Sequence, residues 1–475
     1  MTTSPPNFGV RLGVVRGISY GMYGRPERFV PHVRAMNAGL IRVYVYWSQI
    51  EPVSGRFDFD VVDTLFDQLD GTEEIWVTVC SSSPWATRVP TRLLPPSPAK
   101  SLRRYGKFVE RLVRHCAGRV HYWQCDNEPT DNAMLWAGTA PEYLAQLKVL
   151  HKAVKKVDPQ ASVVLGGAPF MLPLSAPDSH ERRFFDLLLD QGRDHFDLFD
   201  LHLYGPTTMI PEHVESVRDQ MRKFGYEKPV VAGEYNGPWP ALFPEAMAIL
   251  KEPAEAAGQH GRQAEHEAIA RLYARRETLP PTLQMFLLDC PPDLEDKRYR
   301  IACREIVMRN LLAFSVGVRR TACWNLAPEA AGFANPYSLM DVMFRTFALM
   351  DYAGDELAVR HPNAEALALV SGQLDGAERV ERVPVGDRPQ QYLFDVRRPG
   401  REPLLVTWID RDPFHGEDEP DVQFDWFWTA QRAYAVDALG RAVPVTSRDG
   451  RVHLPVGCTP VFVSAEPIPA KSGGH

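Results

Sequence analysis

Short apolar runs alternate with amphipathic stretches from residue 11 to about residue 345. Runs of about four to eight apolar and β-branched residues, bounded by turn residues, are typical of buried strands. Seven runs fit this pattern: LIRVYVYW (40–47), EIWVTVC (74–80), VHYWQCDN (120–127), SVVLGG (162–167), DLFDLHLY (197–204), PVVAGEY (229–235) and RTACWNL (320–326). An earlier run, RLGVVRGISY (11–20), supplies an eighth strand.

Between these runs, apolar residues recur at the three- and four-residue spacing of amphipathic helices. The clearest cases are SLRRYGKFVERLVRHC (101–116) and PEYLAQLKVLHKAVKKV (141–157). Ser101 and Thr139 stand where helix N-caps are expected, because their hydroxyl groups can accept a hydrogen bond from the free backbone N–H groups of the first turn. The pattern therefore predicts strands and helices in alternation.

Such alternation predicts a parallel sheet with crossover helices. Eight strands would close into a (β/α)8 TIM barrel, in which chemistry sits at the carboxyl ends of the strands. A doubly wound open sheet is the alternative, but no GxGxxG follows the first strand. We predict a barrel over residues 1–352 with an insertion near 240–281. Its helical EHEAIARLYARRE either covers the barrel mouth or lies solvated on the surface.

After about residue 355 the chain changes character. Short β-rich runs are separated by Gly, Pro and Asp, which is typical of an all-β domain. The runs are ALALVSGQ, QQYLFDVRR, PLLVTWIDR, VQFDWFW, RAYAVDALG and VHLPVGCTPVFVSAE. We predict a β-sandwich-like accessory domain over 353–468 that supports the barrel, followed by a mobile tail at 469–475.

Composition narrows the class of protein. The 475 residues are 45% hydrophobic and 24% charged, as in an ordinary globular protein. The 53 Lys and Arg against 60 Asp and Glu give a net charge of −7, which argues against nucleic acid as the main partner. The seven cysteines are scattered with no CxxC spacing, so neither a disulfide framework nor a zinc site is indicated.

No secretory leader and no apolar run of about 18 residues are visible, so the expected location is cytoplasmic, with no membrane partner. No cofactor or metal is expected either. The sequence lacks HxH and HExxH, either of which would suggest metal-assisted hydrolysis.

The strongest chemical feature is QCDNEPT, which places Asn127 and Glu128 at the end of the predicted fourth strand. Glu234 ends the seventh. These strands face each other across a closed barrel, and two facing carboxylates are the catalytic groups of most glycoside hydrolases. The alternatives are a surface carboxylate for Glu128 and a structural ion pair for Glu234.

Five segments of the chain form a recognisable set, which is YWSQIEPVSGRFDF, WQCDNEP, DLHLYG, VVAGEYN and ACWNL. In these segments the chain resembles retaining glycoside hydrolases of clan A. The nearest pattern is family 39, of the β-xylosidase, α-L-iduronidase and exopolysaccharide hydrolase types. The resemblance implies double displacement at an equatorial (β-D or α-L) glycosidic bond. Glu128 would be the acid/base and Glu234 the nucleophile. The substrate would be a small glycoside or an oligosaccharide.

The resemblance also implies roles for neighbouring residues. Asn127 would bind the sugar 2-hydroxyl, and Tyr204 would support the nucleophile or contact the sugar, unless it is only a rim aromatic. Arg42 would keep the nucleophile ionised or form a structural ion pair, and Trp324 would form the floor beneath the sugar or serve packing alone. His202 points the same way as Tyr204 if DLHLY is a strand, although a hydrogen-bonded core histidine is equally consistent with the pattern. Position alone predicts further subsite residues, which are Trp47, Trp85, Trp136, Asn236 and Trp239.

One segment departs from the clan pattern. CSSSPWAT, after the third strand, lacks the histidine that many clan members place there. Two other functions remain open at this point: a non-catalytic carbohydrate-binding barrel, and a transglycosidase that uses the same two glutamates. The sequence makes no prediction of the oligomeric state.

Overall fold

The computed structural model describes residues 9–130, 134–329, 338–386 and 388–469. Eight parallel strands close into a barrel in chain order, which confirms the predicted (β/α)8 fold. The barrel strands are β1 (Arg11–Val15), β2 (Leu40–Tyr46), β3 (Glu74–Cys80), β4 (Tyr122–Cys125), β5 (Ser162–Ala168), β6 (Leu198–Leu201), β7 (Val230–Tyr235) and β8 (Arg320–Trp324).

Strand β2 shows why these runs form a barrel. All seven of its residues are buried, because helices cover the outer face and side chains fill the interior. Successive side chains alternate between the two faces. Ile41 and Val43 join the large cluster under the helices, whereas Arg42 and Tyr44 point into the barrel. Polar groups on alternate strand positions therefore reach the site.

Helices surround the barrel and cover its mouth. They are α1 (Val30–Ala35), α2 (Trp47–Ile50), α3 (Asp60–Phe66), α4 (Leu102–Cys116), α5 (Ala140–Val157), α6 (His180–Gln191), α7 (Ile210–Lys223), α8 (Pro244–His260), α9 (Arg262–Ala274), α10 (Pro281–Gln284), α11 (Pro292–Ser315), α12 (Leu339–Phe344) and α13 (Pro362–Leu374). None of the helices in the described ranges is long and apolar enough to cross a membrane.

Both predicted N-caps are present. The Ser101 hydroxyl accepts a hydrogen bond from the backbone N–H of Arg104, three residues into α4. Thr139 begins α5 with a capping box, in which Glu142 accepts from the Thr139 backbone N–H and hydroxyl at 2.9 and 2.8 Å. These local contacts fix where the two helices start.

The insertion lies between β7 and α11 and contains α8, α9 and α10. The helix predicted within 240–281 is confirmed as α9. The insertion has a hydrophobic cluster of its own, which includes Leu250, Leu272 and Phe286. Val342 and Met343 of α12 belong to the same cluster. Since α12 follows β8 and the insertion follows β7, both stand at the carboxyl ends of the strands.

The first part of the predicted all-β domain is different. Residues 366–373, expected to be β-rich, lie within α13. Asn37 Nδ2 donates to the carbonyl of Ala368 on α13 at 3.1 Å, and buried residues of this helix join the barrel's main cluster. A short apolar run cannot be assigned to strand or helix by periodicity alone. The barrel layer therefore extends to Leu374, beyond the predicted division after residue 352.

The remaining strands form antiparallel sheets. Strands β9 (Met350–Ala353) and β10 (Glu356–Arg360) make a hairpin. The others are β11 (Arg379–Arg382), β12 (Gln391–Arg397), β13 (Leu404–Ile409), β14 (Val422–Phe427), β15 (Tyr434–Asp437), β16 (Thr446–Arg448), β17 (Arg451–Val456) and β18 (Val461–Ser464). They form a five-stranded sheet, ordered β11-β12-β13-β18-β15, and a three-stranded sheet, ordered β14-β17-β16.

The five-stranded sheet is buried on both faces. Leu393 and Leu405 pack with residues of the three-stranded sheet. Phe394 and Trp408, on the opposite face, belong to the barrel's main cluster. This confirms a sandwich-like domain attached to the barrel. All but the first residue of the tail predicted at 469–475 lies outside the described residues.

Candidate active site

The turn after β4 places Glu128 in the barrel mouth. Asp126 and Glu128 both adopt left-handed backbone conformations, with φ of 48° and 39°, which are uncommon outside glycine. Ser81 holds this turn, because its backbone N–H and hydroxyl each donate to the Asp126 carboxylate at 2.8 Å. Burial raises the pKa of Asp126 to about 7. Glu128 keeps 14% of its side chain exposed and thus faces the cleft.

Glu234, at the end of β7, is held through both carboxylate oxygens. Its Oε1 accepts hydrogen bonds from the Tyr44 hydroxyl at 2.6 Å and from Arg42 Nη1 at 3.0 Å. Its Oε2 accepts from the Tyr204 hydroxyl at 2.7 Å. Burial, together with the charge of Glu234, raises the pKa of Tyr204 well above its usual value, so this phenol stays a donor. The carboxylate therefore has a fixed orientation.

Arg42 joins the two halves of the site. Its completely buried guanidinium contacts Glu234 and also donates to Asn127 Oδ1 at 2.6 Å, while Asp200 lies 4.0 Å away. Burial disfavours the charged form, but Tyr44, Glu234 and Asp200 outweigh it and raise the pKa of Arg42. A permanent positive charge thus lies between the ends of β4 and β7.

His202 bridges the two glutamates. Its Nδ1 lies 2.5 Å from Glu128 Oε1 and 3.5 Å from Glu234 Oε2, and its Nε2 lies 3.3 Å from Asp200 Oδ2. Burial disfavours the imidazolium, but these three carboxylates outweigh it and raise the pKa of His202 to about 10. The ring is therefore cationic at neutral pH, and Nδ1 donates to Glu128.

Two glycines allow the charged groups to approach the strands. Gly233 donates its N–H to Asp200 Oδ1 at 2.5 Å, and a Cβ atom at this position would lie 2.5 Å from Asp200 Oδ2. A Cβ atom on Gly167 would collide with the ring of His202. Gln124 Nε2 completes the support of Asp200 at 3.1 Å. Asp200 thus stands behind His202 in a fully packed setting.

Glu128, His202 and Glu234 each place one ligand-type atom within 4.8 Å of the other two. A metal ion would need these atoms at about 2.0–2.2 Å, with a lone pair free on the imidazole nitrogen. Here Nδ1 of His202 carries the proton that it donates to Glu128. Both Glu234 oxygens already accept hydrogen bonds. The arrangement suits proton transfer and nucleophilic attack better than metal binding.

Trp324 lies beside the carboxylates, at the end of β8. Its half-buried ring makes an edge-to-face contact with Tyr44 at 6.0 Å, and the Tyr44 hydroxyl in turn reaches Glu234. Asn236, predicted to contact substrate, is completely buried instead. Its Nδ2 donates to the backbone carbonyls of Trp324 and Phe347. Asn236 therefore fixes the backbone at Trp324, which corrects its predicted subsite role.

Two of the tryptophans predicted to line a subsite belong to the core. Trp47 has no exposed surface and stacks on Phe108 of α4 at 4.9 Å. Trp136 is 2% exposed and packs edge-on against Tyr143 of α5 at 5.4 Å. Protein atoms already cover both indoles, so the predicted subsite roles of Trp47 and Trp136 are wrong.

The other two predicted tryptophans are half-buried. Trp85 donates its indole N–H to the Glu51 carbonyl at 3.0 Å and lies under Arg104, in a groove beside α4. The described contacts of Trp85 include none with a site carboxylate, and its subsite role stays a prediction. Trp239 lies next to Tyr204, with ring centroids 6.2 Å apart. Of the tryptophans predicted from position alone, only Trp239 adjoins the site in the described part of the chain.

Sequence reasoning missed Tyr44 and Asp200. Both could have been found from the two-residue period of strands. Tyr44 follows Arg42 by two positions in LIRVYVYW, and Asp200 precedes His202 by two in DLFDLHLY. Tyr44 therefore lies on the same inward strand face as Arg42, and Asp200 on the same face as His202, and the sequence motifs had already identified Arg42 and His202.

The fold has relatives among solved structures. A family 39 glycoside hydrolase from Bacteroides cellulosilyticus WH2 has a TM-score of 0.62 at 15% identity, over 97% of this chain and 81% of the other. The chain has the fold of family 39 glycoside hydrolases. A family 39 β-xylosidase from Caulobacter crescentus has a TM-score of 0.59 at 14% identity, over 98% of both chains. A glucosidase from Croceicoccus marinus has a TM-score of 0.59 at 14% identity, over 97% and 96%. By sequence, no family model and no curated protein matches.

Proposed function

We propose that this protein is a retaining glycoside hydrolase that cleaves an equatorial glycosidic bond, with Glu128 as acid/base and Glu234 as nucleophile. The observation that carries the proposal is the closeness of the two glutamates, since one carboxylate oxygen of Glu128 lies within 4.8 Å of one of Glu234. Retaining enzymes place their carboxyl groups about 5–5.5 Å apart, and inverting enzymes about 6.5–9.5 Å, to leave room for a water molecule. The shorter spacing supports direct attack by Glu234.

In the first step an oxygen of Glu234 attacks the anomeric carbon, and the bond from that carbon to the leaving oxygen breaks. Glu128 enters protonated and gives its proton to the leaving oxygen, so that the aglycone departs as a neutral alcohol. Tyr44, Tyr204 and Arg42 keep the attacking carboxylate aligned. Such pre-positioning lowers the entropic part of the barrier.

In the second step water attacks the same carbon. Glu128 takes a proton from this water, the ester bond to Glu234 breaks, and the sugar leaves with its original anomeric configuration. His202 touches both carboxylates and carries a positive charge, so it counters whichever of them is anionic at each stage. Glu128 thus recovers from water the proton that it gave to the leaving alcohol.

Asn127 and Trp324 are proposed to bind the reacting sugar. Arg42 occupies Oδ1 of Asn127, and this leaves the Nδ2 group to donate to a sugar hydroxyl. The half-buried ring of Trp324 offers an aromatic face to the C–H face of a pyranose. Together they place the anomeric carbon between the two glutamates.

The test is turnover of a panel of aryl glycosides. It begins with β-D-xyloside and β-D-glucoside, since two structures with this fold are named a β-xylosidase and a glucosidase. It continues with β-D-galactoside, α-L-arabinoside and β-D-glucuronide. We expect cleavage of at least one by the wild type, with the first-formed sugar retaining its anomeric configuration by NMR. Glu234→Gln should lose activity, whereas Asp437→Asn, in the accessory domain, should keep it.

An inverted first product would refute the retaining mechanism. Activity that survives Glu234→Gln would refute the nucleophile assignment. No turnover across the panel, with binding of the same glycosides intact, would favour a carbohydrate-binding barrel. An added alcohol that appears in the main product at low concentration would instead indicate transglycosylation.

A further inference from the structure

Three aromatic side chains form a wall beside Tyr204; we call Phe170, Trp239 and Phe344 the aromatic wall. Phe170 follows β5, Trp239 follows β7, and Phe344 ends α12. The Phe170 and Trp239 ring centroids are 4.8 Å apart, and those of Trp239 and Phe344 are 6.2 Å apart. Tyr204 contacts both Trp239 and Phe344, so the wall adjoins a residue that is hydrogen-bonded to Glu234.

The wall has no polar group to offer a ligand. All three rings are only half-buried, and two of them are phenyl groups. The one polar atom, the indole N–H of Trp239, already donates to the sulfur of Met343 at 3.2 Å. A sugar ring could stack its C–H face on this surface, as proposed for Trp324, but the wall offers its hydroxyl groups no hydrogen-bond partner in exchange for lost water. An apolar ring would gain by burying its surface there.

The strand order and the contacts of Tyr204 place the wall on the leaving-group side of the cleft. Phe170 and Trp239 follow β5 and β7, and Phe344, although α12 follows β8, contacts Tyr204 just after β6. Going round the barrel, β5 and β6 lie between β4, with Glu128, and β7, with Glu234. Trp324 on β8 and Tyr44 on β2 lie on the other side, near β1. With the sugar over Trp324, the oxygen protonated by Glu128 points away from it. The next group of the substrate therefore extends towards the wall.

The wall is held in place by the insertion and by the accessory domain. Trp239 packs against the insertion's hydrophobic cluster, and that cluster is completed by Phe414 from the loop after β13. Glu417 of the same loop accepts hydrogen bonds from Arg300 and Arg304 of α11, both at 2.8 Å. The wall is therefore preorganised, and little conformational entropy is lost when a ligand covers it.

We propose that the aromatic wall binds a flat apolar aglycone, so that the substrates are aryl-type glycosides of apolar alcohols and not oligosaccharides. This inference rests on the proposed glycosidase function and adds the class of leaving group. The sugar is recognised on the Trp324 side, and the wall selects what is attached to it.

The experiment uses the full chain and the sugar identified by the panel. Substrates carry that sugar on 2-naphthylmethanol, on methanol or on a second sugar. All three are alkyl alcohols, so the leaving groups differ little in acidity. We expect kcat/KM to be highest for the naphthylmethyl glycoside. Trp239→Ala should lower kcat/KM for the naphthylmethyl glycoside about 10- to 100-fold, with a loss at least about tenfold smaller for the methyl glycoside. The matched control is Phe427→Ala, which removes an exposed ring of the accessory domain and should change neither value.

A second variant guards against misfolding of the first. Phe344→Leu keeps an apolar side chain but removes the ring, and should give a smaller loss in the same direction. If the disaccharide is cleaved as efficiently as the naphthylmethyl glycoside, or if both wall variants lose activity equally on all substrates, the inference is overturned while the glycosidase function stands. If none of the substrates is cleaved, the proposed function fails and the inference fails with it.

Discussion

His202 donates a hydrogen bond from Nδ1 to Oε1 of Glu128 at 2.5 Å. The same nitrogen lies 3.5 Å from Glu234 Oε2. One buried imidazolium thus faces both members of the proposed catalytic pair. Its charge depends on the surrounding carboxylates, since burial alone would favour the neutral ring. This coupling makes the site sensitive to alkaline pH.

We expect the stabilising effect of His202 to fall with rising pH. Its pKa is raised to about 10 in the folded protein, above the usual value of about 6.5 for an unfolded chain. The charge contribution is therefore fully present below about pH 6.5 and is lost as the pH rises through about 10. Urea unfolding at pH 6 and pH 10 should show His202→Gln more destabilised, relative to the wild type, at pH 6.

The control for this experiment is His213→Gln. His213 is also buried, but burial lowers its pKa, so its titration lies below that of an unfolded histidine. The destabilisation caused by His213→Gln should therefore be no larger at pH 6 than at pH 10, opposite to the trend for His202→Gln. Equal pH dependence in both variants would show that His202 is not held charged by its carboxylate neighbours.

The acid/base role of Glu128 can be tested by comparing the turnover of substrates with different leaving groups in Glu128→Ala. Without a proton donor, turnover of an alkyl glycoside should fall by about 10²- to 10⁴-fold. An aryl glycoside with a strongly acidic phenol should lose much less in its first step, because it leaves without protonation. Added azide should restore turnover and yield the glycosyl azide, detected by NMR. Glu128→Ala with a uniform loss on all leaving groups would contradict the acid role.

Tyr204→Phe and Tyr44→Phe are expected to differ. Without Tyr204, Oε2 of Glu234 keeps only the more distant charge of His202 at 3.5 Å among the described residues. Without Tyr44, Oε1 keeps the hydrogen bond from Arg42 at 3.0 Å. A lost hydrogen bond to a charged group costs about 1.5–3 kcal/mol, or roughly 10- to 150-fold in rate. We expect Tyr204→Phe to reduce kcat by that range and Tyr44→Phe by less. A larger loss of kcat in Tyr44→Phe than in Tyr204→Phe would show that the hydrogen bonds to Oε1 contribute most to aligning the Glu234 carboxylate.

The sequence predicts the barrel well because each strand is an independent local pattern. The runs around Glu128 and Glu234 place both residues at strand ends, and strand order alone then brings them together. Tyr44 and Asp200 followed the same rule, and the period of two would have identified them. The alternation of side chains is thus enough to identify most groups that point into the barrel.

Loop residues and short apolar runs were harder to predict. Trp47 and Trp85 follow strand ends, yet they turn outwards and pack beside α4, because the segments after β2 and β3 fold over the barrel's rim. The direction of a side chain in such a loop depends on contacts distant in sequence. The apolar run at 366–373 predicts a strand, but these residues lie within α13. A short apolar run does not show that they pack against α11 and β1.

The accessory domain is expected to stabilise the barrel through Glu417. This carboxylate accepts hydrogen bonds from Arg300 and Arg304, and Lys297 lies 3.3 Å away. Burial alone would raise its pKa, but hydrogen bonds and charges from Arg300 and Arg304 lower it to about 2. The contribution is therefore present above about pH 4.3 and is lost as the pH falls through about 2.

We expect Glu417→Gln to lower the free energy of unfolding by about 2 kcal/mol at pH 7, because three cations lose a mostly buried partner. The matched control is Glu419→Gln, two residues later, where the side chain is 56% exposed and pairs with Arg411 at 3.2 Å. That change should cost less than about 0.5 kcal/mol, as is usual for exposed pairs. Urea unfolding at pH 7 measures both.

Since Phe414 on the same loop packs under the insertion, Glu417→Gln should also raise KM for the naphthylmethyl glycoside more than for the methyl glycoside. Equal effects of the two variants on stability and on KM would show that this loop does not couple the accessory domain to the barrel mouth.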